Sequence, residues 1–576
     1  MKQIVKNNIY MLKKLIQICP QHFIFTIIAD VLTAGMSLWN IVLLKYIVDQ
    51  ISCSYYISKV ILFICVYSSV NIVLVIFSAY LNRLFIPRNT LQIQQKFKME
   101  LYNKVMNIPF GCFDIADFYN LYSMAINEAD KRVFEVLQTV SLLTSSIVSI
   151  AGCIAIISGI NKVILFIASV LVVFSTLVSS LMTKTQYQYS MGAIPYTRRF
   201  GYIGRVYYLK EYLQELHSNL GVNTILQEDI EETTSKAVRL TESFGKKLGQ
   251  LQAIVGGIPV VLQMIILILA CIQVYAYGMT VGNLVALVSS SITLFSQTNS
   301  LISVGIRMYS SSLYIERYIS FMNYPEIEKR NNTRAIPDNV HIRLNKISFS
   351  YGKGGPLLDN LTLEIEPNSK ISIMGENGAG KSTILRILAN IYHPEKGEIL
   401  INQIALDEYD PEEFRECCCY IPQDYQLFAF SIAENVLMRT VKNENDEIVV
   451  QEALKKVRML DKVLSLPEGI NTPITKEFSE NGAVFSGGEL QRIALARAFT
   501  NKFKIILADE PTSKVDDSTS LMILEELFSI DNCIVIVSTH DNRVKCVADT
   551  TYVLTKKGLK KQEVRVTRAE MENVNE

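Results

Sequence analysis

Charged residues are scarce in this sequence of 576 residues. Asp, Glu, Lys and Arg make up 19% of the chain, against about 25% in an average soluble domain. The net charge of +1 gives no excess of positive charge that would indicate a nucleic-acid partner. Charge is sparsest in the first 320 residues, where long apolar runs are crowded, and is denser afterwards. We therefore expect a membrane half followed by a soluble half.

The sequence also lacks the cysteine spacings of disulfide frameworks and zinc sites, although it contains 11 cysteines. Three of them, Cys417 to Cys419, are consecutive and lie in the soluble half. We interpret this run as a buried strand in a reducing cytosol and favour that interpretation over a metal site. No signal-peptide pattern precedes the first apolar run, so no secretory leader is expected.

The apolar runs predict membrane helices, because a bilayer core of about 30 Å needs roughly 20 apolar residues per helix. A preceding stretch, residues 1–20, combines lysines with apolar residues at helical spacing. It is typical of an amphipathic helix on the inner membrane surface, and a frayed tail is the alternative. The six predicted membrane segments are 23–48, 59–85, 136–160, 162–183, 251–277 and 282–312.

Basic residues predict the orientation of these segments. The two long connections, near 86–135 and 184–250, are rich in Lys and Arg, whereas the three short connections hold only Asp49 and Lys162 as charged residues. Since positive loops stay inside, we expect the long connections and both termini in the cytoplasm and Cys53 outside. Unstructured loops of this length are uncommon, so the membrane helices should continue into the cytoplasm.

A few polar side chains interrupt the membrane segments. Ionisable residues within a membrane usually face a bundle interior or a wet cavity, and amides often join helices. The candidates for a substrate cavity are Asp30, Gln263, Gln297 and Asn299. The alternative is a structural role between neighbouring helices.

A phosphate-binding loop follows a polar linker over residues 321–339. The run Lys370–Met374 is predicted to be a buried strand, and the next residues fit G-x-x-x-x-G-K-[ST] before a helical pattern. Backbone amides of such a loop wrap phosphates, and the helix amino terminus adds positive potential. Lys381 should reach the β- and γ-phosphates, and Ser382 should bind Mg²⁺. The predicted ATP contacts in this loop are Gly375, Glu376, Asn377, Gly378, Ala379, Gly380, Lys381, Ser382 and Thr383.

Two further apolar strands end in polar residues. The strand at 504–508 precedes Asp509 and Glu510, and the strand at 533–537 precedes Ser538, Thr539 and His540. We predict that Asp509 assists Mg²⁺ and that Glu510 is the general base for the attacking water. A lone histidine after a strand is more often structural, but the position of His540 favours a γ-phosphate sensor.

The motif order resembles that of ABC transporters, and the whole chain resembles a bacterial half-size exporter of the type IV fold. Phe485–Glu489 is similar to the Leu-Ser-Gly-Gly-Gln signature, and Gln423 lies in a segment similar to the Q-loop. Ser513–Asp516 resembles the D-loop, and Tyr351 resembles the adenine-stacking aromatic residue. The resemblance implies a polytopic α-helical membrane domain over 1–320 and an α/β P-loop NTPase domain of ABC type over 340–576.

The resemblance also implies the site's remaining residues and its cofactors, ATP and Mg²⁺. Gln423 would contact Mg²⁺ and sense the membrane domain. Phe485 and Glu489 replace the usual ends of the signature, and Lys514 and Val515 replace the usual Ala-Leu of the D-loop. A hydrolysing site is still expected, because the core of the signature, the base and the histidine remain. The further ATP contacts implied are Ser486, Gly487, Gly488, Glu489 and Asp516.

In this family each ATP lies between the phosphate loop of one nucleotide-binding domain and the signature of another. The chain has one of each, so a second half is required as a partner. A homodimer is preferred, and the changes at Phe485 and Glu489 leave a heterodimer open. Coupling helices are expected near Phe113–Asn120 and Tyr207–Glu215.

The cargo is less well defined by the sequence. Parts of the long connections weakly resemble exporters of bacterial peptides, which predicts export of a peptide or similar amphipathic molecule across the cytoplasmic membrane. A lipid flippase or multidrug exporter of the same fold is the first alternative. An ATP-gated regulator or channel is the second, and a siderophore-type importer is less favoured. Membrane lipids are expected as partners in each case.

Overall fold

The computed structural model describes residues 2–52, 57–327, 334–352, 355–555 and 558–562. Cys53 and the middle of the predicted linker, 328–333, lie outside the described residues. The chain divides into two compact units. The helical unit comprises Met1–Met106 and Asn120–Tyr324, and the second unit comprises Asn107–Tyr119 and Pro325–Glu576.

The helical unit consists of long helices, some of which run from apolar into basic sequence without a break. Helix α6 continues through Pro195, and α8 continues through Pro259. The predicted long connections are therefore largely helical. The helices are α1 (Lys2–Ile18), α2 (Pro20–Ser52), α3 (Ile57–Tyr80), a π-helical turn (Leu81–Phe85), α4 (Ile86–Asn107), α5 (Ala116–Ile160), α6 (Lys162–Tyr208), α7 (Lys210–Ser218), α8 (Leu220–Tyr277) and α9 (Val281–Met322).

Five stretches within the described residues are long and apolar enough to cross a membrane. They overlap the first five predicted segments, and α3 exposes large apolar side chains such as Leu62, Val73 and Ile76 over more than 60% of their surface. Such a surface is expected to contact lipid. The five stretches are Pro20–Ser52, Val60–Asn107, Phe134–Ile160, Lys162–Tyr208 and Leu220–Tyr275.

The sixth predicted segment is also helical, as part of α9, but it is not among these five stretches. Its sequence carries the serines of Ser289–Ser291 and the polar run Ser296–Ser300, which lower the mean hydropathy. Its crossing of the membrane stays a prediction.

Polar side chains join the helices of this unit. The Ser141 hydroxyl of α5 donates to Asp30 Oδ1 of α2 at 2.7 Å. At the start of α9, the Gly282 amide donates to Asp49 Oδ1 at 2.9 Å, and a Cβ at Gly282 would lie 2.4 Å from the carbonyl oxygen of Lys45. The helices therefore approach too closely there for a larger residue.

The second unit contains two sheets. The smaller sheet is antiparallel with the order β2-β1-β4-β5, and the larger has the order β10-β9-β3-β8-β7-β6. The strands are β1 (Ile342–Phe349), β2 (Leu358–Ile365), β3 (Lys370–Gly375), β4 (Lys396–Ile401), β5 (Ile404–Ala405), β6 (Cys418–Ile421), β7 (Ile505–Asp509), β8 (Ile534–Ser538), β9 (Thr550–Thr555) and β10 (Gly558–Gln562).

Helices pack against the larger sheet, whose interior strands β7 and β8 are buried at every residue. Strands β9, β3, β8, β7 and β6 run parallel to one another, and the edge strand β10 is antiparallel to β9. Because parallel strands end at the same edge, the residues that follow β3, β6, β7 and β8 meet there. The helices are α10 (Lys381–Leu388), α11 (Pro411–Cys417), α12 (Ile432–Leu437), α13 (Glu444–Lys456), α14 (Leu460–Leu464), α15 (Gly487–Ala496) and α16 (Asp517–Phe528).

Candidate ATP-binding and hydrolysis site

The phosphate loop joins β3 to α10 through glycines whose backbone conformations and close neighbours disfavour a larger residue. Gly375 has φ 154°, and a Cβ there would lie 2.6 Å from the carbonyl oxygen of Leu554. Gly380 has φ 105°, and its Cβ would lie 2.9 Å from Leu358 Cδ2. The loop thus lies close to neighbouring strands in a backbone conformation that favours glycine.

Lys381, the first residue of α10, is almost fully buried, with 6% of its surface exposed. Its Nζ donates to the carbonyl oxygens of Gly375 at 2.7 Å and Glu376 at 3.2 Å. The ammonium group is thereby held inside the loop, where it is positioned to meet anionic phosphate oxygens.

Tyr351 lies beside this loop in an aromatic cluster. Its hydroxyl is 3.1 Å from Thr383 Oγ1 of α10. Its ring makes edge-on contacts with the rings of Phe349 at 4.9 Å and Tyr392 at 5.4 Å. The Tyr351 side chain stays partly exposed and next to the phosphate loop, as an adenine-stacking residue must be.

Asp509 ends β7 and is 1% exposed. One carboxylate oxygen accepts a hydrogen bond from the Ser538 hydroxyl, while Oδ2 is buried without a hydrogen-bond partner within the described residues. A buried, unpartnered carboxylate oxygen is costly unless a cation or donor approaches it. Because hard cations prefer oxygen ligands, the Asp509 carboxylate fits a Mg²⁺ ligand.

Glu510 brings together the residues that follow three different strands. Gln423, two residues beyond β6, donates from Nε2 to Glu510 Oε2 at 2.9 Å, and His540 Nδ1 lies 3.5 Å from Glu510 Oε1. Glu510 has φ 45°, in the left-handed region, and its amide donates to the Ser538 carbonyl at 2.9 Å. A strained residue held by backbone bonds is typical of a functional position.

The signature begins α15, with Ser486 at its N-cap. The Ser486 Oγ accepts from the Glu489 amide at 3.4 Å, and Glu489 Oε2 accepts from the Ser486 amide at 2.9 Å, which forms a capping box. Among the described residues, no hydrogen bond joins Ser486 to the phosphate loop of the same chain. The predicted signature and phosphate-loop residues therefore form separate clusters.

Gln491, on α15, connects the signature helix to the hydrolysis residues. Its Nε2 donates to the Glu510 carbonyl at 3.1 Å and to Ser513 Oγ at 3.3 Å, and its Oε1 accepts from the Lys514 amide at 2.9 Å. Sequence reasoning did not place Gln491 in the site. Its place in the chain, two residues after the signature-like segment Phe485–Glu489, was the available signal.

The D-loop leads into α16 through Asp516, which caps that helix. Asp516 Oδ2 accepts from the Ser518 hydroxyl at 2.7 Å and the Thr519 amide at 3.0 Å. These hydrogen bonds lower the pKa of Asp516 to about 2, so the carboxylate is ionised at neutral pH. Its contact with ATP stays a prediction.

The first expected coupling segment, Phe113–Asn120, overlaps the end of a 3-10 helix over Phe110–Asp114, which belongs to the second unit and contacts its aromatic cluster. Tyr392, which is 5% exposed, donates from its hydroxyl to Asp114 Oδ2 at 2.7 Å, and the Phe110 ring packs edge-on against it at 5.6 Å. Burial, together with the hydrogen bond to Asp114, raises the pKa of Tyr392. Sequence reasoning did not identify Tyr392. The second expected segment, Tyr207–Glu215, overlaps α7, which begins at Lys210 and ends at Ser218.

The four polar candidates of the helical unit do not form one hydrogen-bonded cluster. Asp30 accepts from Ser141, Gln297 accepts from the Ser146 hydroxyl at 3.0 Å, and Asn299 lies 3.4 Å from the Ser175 hydroxyl. Gln263 is half-buried. Three of the four thus join pairs of helices, which favours the structural alternative for Gln297 and Asn299, whereas Asp30 Oδ2 is buried without a hydrogen-bond partner within the described residues.

Comparison with known proteins agrees with this geometry. Residues 358–513 match the model of the ABC transporter family. The chain is 28% identical over 281 residues to the lactococcin-A transport/processing ATP-binding protein LcnC of Lactococcus lactis subsp. lactis, which covers 49% of this chain and 39% of LcnC. It is 30% identical over 263 residues to the ATP-dependent lipid A-core flippase 2 of Colwellia psychrerythraea, which covers 46% and 44% of the two chains.

A solved structure of a bacterial Atm1-family ABC exporter with ATP bound matches 97% of this chain and 97% of its own, with a TM-score of 0.76 and 18% identity. The second unit therefore contains an ABC-type nucleotide-binding domain, and the chain as a whole has the fold of a half-size ABC exporter. The predicted fold class is confirmed. The prediction of a multi-pass membrane protein with a cytoplasmic nucleotide-binding domain is confirmed as well. The chain spans about two fifths of the length of the curated relatives it matches.

Proposed function

We propose that this chain is one half of an ATP-driven exporter and that it hydrolyses ATP at sites completed by a second chain. The convergence of Gln423, Glu510 and His540 at one edge of the parallel sheet carries this proposal. The same edge holds the phosphate loop and Asp509, so the groups needed for phosphoryl transfer are adjacent. A chain that only bound ATP would need no positioned base.

The proposed mechanism assigns one task to each group. Lys381 binds the β- and γ-phosphates, and Tyr351 stacks on adenine. Ser382, Gln423 and Asp509 would hold Mg²⁺, which neutralises charge on the phosphate oxygens when bound. Glu510 accepts a proton from the attacking water, and His540, beside its carboxylate, contacts the γ-phosphate.

A second chain would supply the signature. Charge that develops on the γ-phosphate needs donors on more than one side. Ser486 and the amides of Gly487 and Gly488 are available for this task at the start of α15, whose N-terminus attracts anions. We propose a homodimer; the alternative is a heterodimer, and cysteine crosslinking between chains distinguishes the two.

The cargo we propose is a peptide or similar amphipathic molecule, moved outward across the cytoplasmic membrane. Similarity to LcnC, a lactococcin-A transport/processing protein, supports this proposal. Similarity to a lipid A-core flippase supports lipid as the second candidate. The segments Phe110–Asp114 and α7 are proposed to couple ATP turnover to the helices.

ATPase measurements on the purified chain in lipid vesicles test these proposals. Candidate peptides, lipids and drugs are added separately, and stimulation by peptides alone would support peptide export. Stimulation by lipid alone would replace it with the flippase alternative. If wild-type protein bound ATP without hydrolysing it, a homodimeric transporter would be excluded, and the heterodimer and the ATP-gated regulator would remain.

A further inference from the structure

The two residues that depart from the usual signature contact the same lysine. Lys462, on the short helix α14, places its Nζ 2.5 Å from Glu489 Oε1 and 5.8 Å from the centroid of the Phe485 ring. Phe485 is 8% exposed, and the Glu489 side chain is 17% exposed, so both are largely shielded from water. The two departures and Lys462 thus form one cluster, which we call the signature triad.

The signature triad is hydrogen-bonded to Ser486 through Glu489. Glu489 uses its two carboxylate oxygens differently, since Oε1 pairs with Lys462 and Oε2 accepts from the Ser486 amide. Phe485 precedes Ser486 in the chain, so Lys462 contacts residues on both sides of it. The position of Ser486 therefore depends on groups that Lys462 holds.

Glu489 brings a charge that the glutamine of the usual signature would not. A carboxylate one turn from Ser486 would repel the γ-phosphate that Ser486 is proposed to meet. The Lys462 hydrogen bond is the main cause that lowers the pKa of Glu489, so the carboxylate is ionised at neutral pH. Without a cation beside it, this charge would face the polyphosphate uncompensated.

We propose that Lys462 is a positioning residue for ATP hydrolysis. This inference rests on the proposed function. It neutralises Glu489 and braces Phe485, so that Ser486 can approach the ATP held by the second chain. In the signature of this chain, the Lys462–Glu489 ion pair then takes the place of the neutral glutamine side chain of the usual signature.

Kinetic measurements on the full-length chain in lipid vesicles test this proposal. Lys462→Met should raise the KM for ATP by about fivefold, the upper end for an exposed ion pair. Adding Glu489→Gln to Lys462→Met should restore much of the loss, because the glutamine has no charge to neutralise. A purely structural role for Lys462 would not be rescued by this second substitution.

Lys456 provides a matched control. It also pairs with a carboxylate, Glu526 at 3.5 Å, and lies 5.1 Å from the ring centroid of Phe499, but neither residue belongs to the signature. Lys456→Met should leave the KM for ATP unchanged. If Lys462→Met does not fold, Lys462→Gln replaces it in the same series.

The outcomes separate this inference from the function on which it rests. A wild-type KM for ATP in Lys462→Met, or a double variant as impaired as Lys462→Met, would overturn the role of Lys462 alone. A wild-type chain without ATPase activity would overturn the proposed homodimeric ATPase and this inference together.

Discussion

Polar side chains in apolar surroundings behave differently in the two units. In the helical unit, Asp30, Gln297 and Asn299 face hydroxyl groups of other helices, although Asp30 Oδ2 is buried without a hydrogen-bond partner within the described residues. In the second unit, Asp509 keeps a buried oxygen without a partner within the described residues, and Glu510 is held in a left-handed conformation. Paired groups stabilise a fold, whereas unsatisfied or strained groups indicate a ligand. The comparison therefore favours function at the strand ends over a cavity lined by Gln297 and Asn299, and it leaves Asp30 as the remaining candidate for a cavity residue.

The most severe test of this comparison is Glu510→Gln. It should lower ATP turnover by at least about 10²-fold, the lower end for loss of a general base, while ATP binding remains. Phosphate release and nucleotide binding measure the two effects, and Lys381→Ala should instead weaken binding. The exposed Glu452 on α13 provides the control substitution Glu452→Gln. Wild-type turnover in Glu510→Gln would show that another group is the base.

A mixing experiment asks whether the separate signature and phosphate-loop clusters meet in a dimer. Ser486→Arg and Lys381→Ala chains should each be inactive alone. A random mixture should recover up to about a quarter of wild-type activity, because half of the dimers are mixed and each has one intact site. ATPase assays measure the recovery.

Cysteine crosslinking provides the control for mixing, since cooperative sites could suppress recovery. Ser486→Cys in one chain and Ala379→Cys in another should crosslink when MgATP is trapped. ATP hydrolysis by a purified monomer would contradict the composite site. Crosslinking only to a half-transporter of different sequence would indicate a heterodimer.

Tyr392→Phe tests the contact between Tyr392 and Asp114. Loss of a hydrogen bond to a carboxylate should lower the free energy of unfolding by about 1.5 to 3 kcal/mol and reduce cargo-stimulated ATPase activity. Thermal unfolding and stimulation assays measure these effects. Tyr409→Phe is the control, because Tyr409 is also buried but donates to a backbone carbonyl, that of Ile401 at 3.0 Å. Equal loss of stimulation in both variants would argue against a coupling role.

Ser146→Ala should have the smallest effect. Ser146 is fully buried and donates to Gln297, and such hydrogen bonds between membrane helices are worth about 0.6 kcal/mol. We expect slightly lower thermal stability in detergent and an unchanged affinity for the cargo. A clear change in the cargo concentration needed for half-maximal ATPase stimulation would restore Gln297 as a cavity residue.

The sequence was most informative where chemistry follows a local pattern. The phosphate loop and the residues after β7 and β8 could be located because an apolar run ends at a distinctive residue. Gln423 required a family resemblance, because its bond to Glu510 joins positions 87 residues apart. Parallel strand order brings them together, and no local pattern encodes that order.

Other contacts could not be predicted for the same reason. The Tyr392–Asp114 bond spans 278 residues, and Lys462 meets Glu489 from a helix with no motif of its own. The serines that pair with Asp30 and Gln297 are ordinary residues in apolar helices. That these serines pair with candidate cavity residues becomes visible only when the helices are packed together.

The assignment of residues Asn107–Tyr119 to the second unit has a consequence for protein engineering. A recombinant fragment that begins at Pro325 would lack this segment, in which Ile108 and Phe118 are almost fully buried. It would expose Tyr392 and its aromatic neighbours to water, which favours self-association and low solubility. A synthetic peptide with the sequence of residues 107–119, added in trans or fused through a flexible linker, should bind that surface and keep the fragment monodisperse.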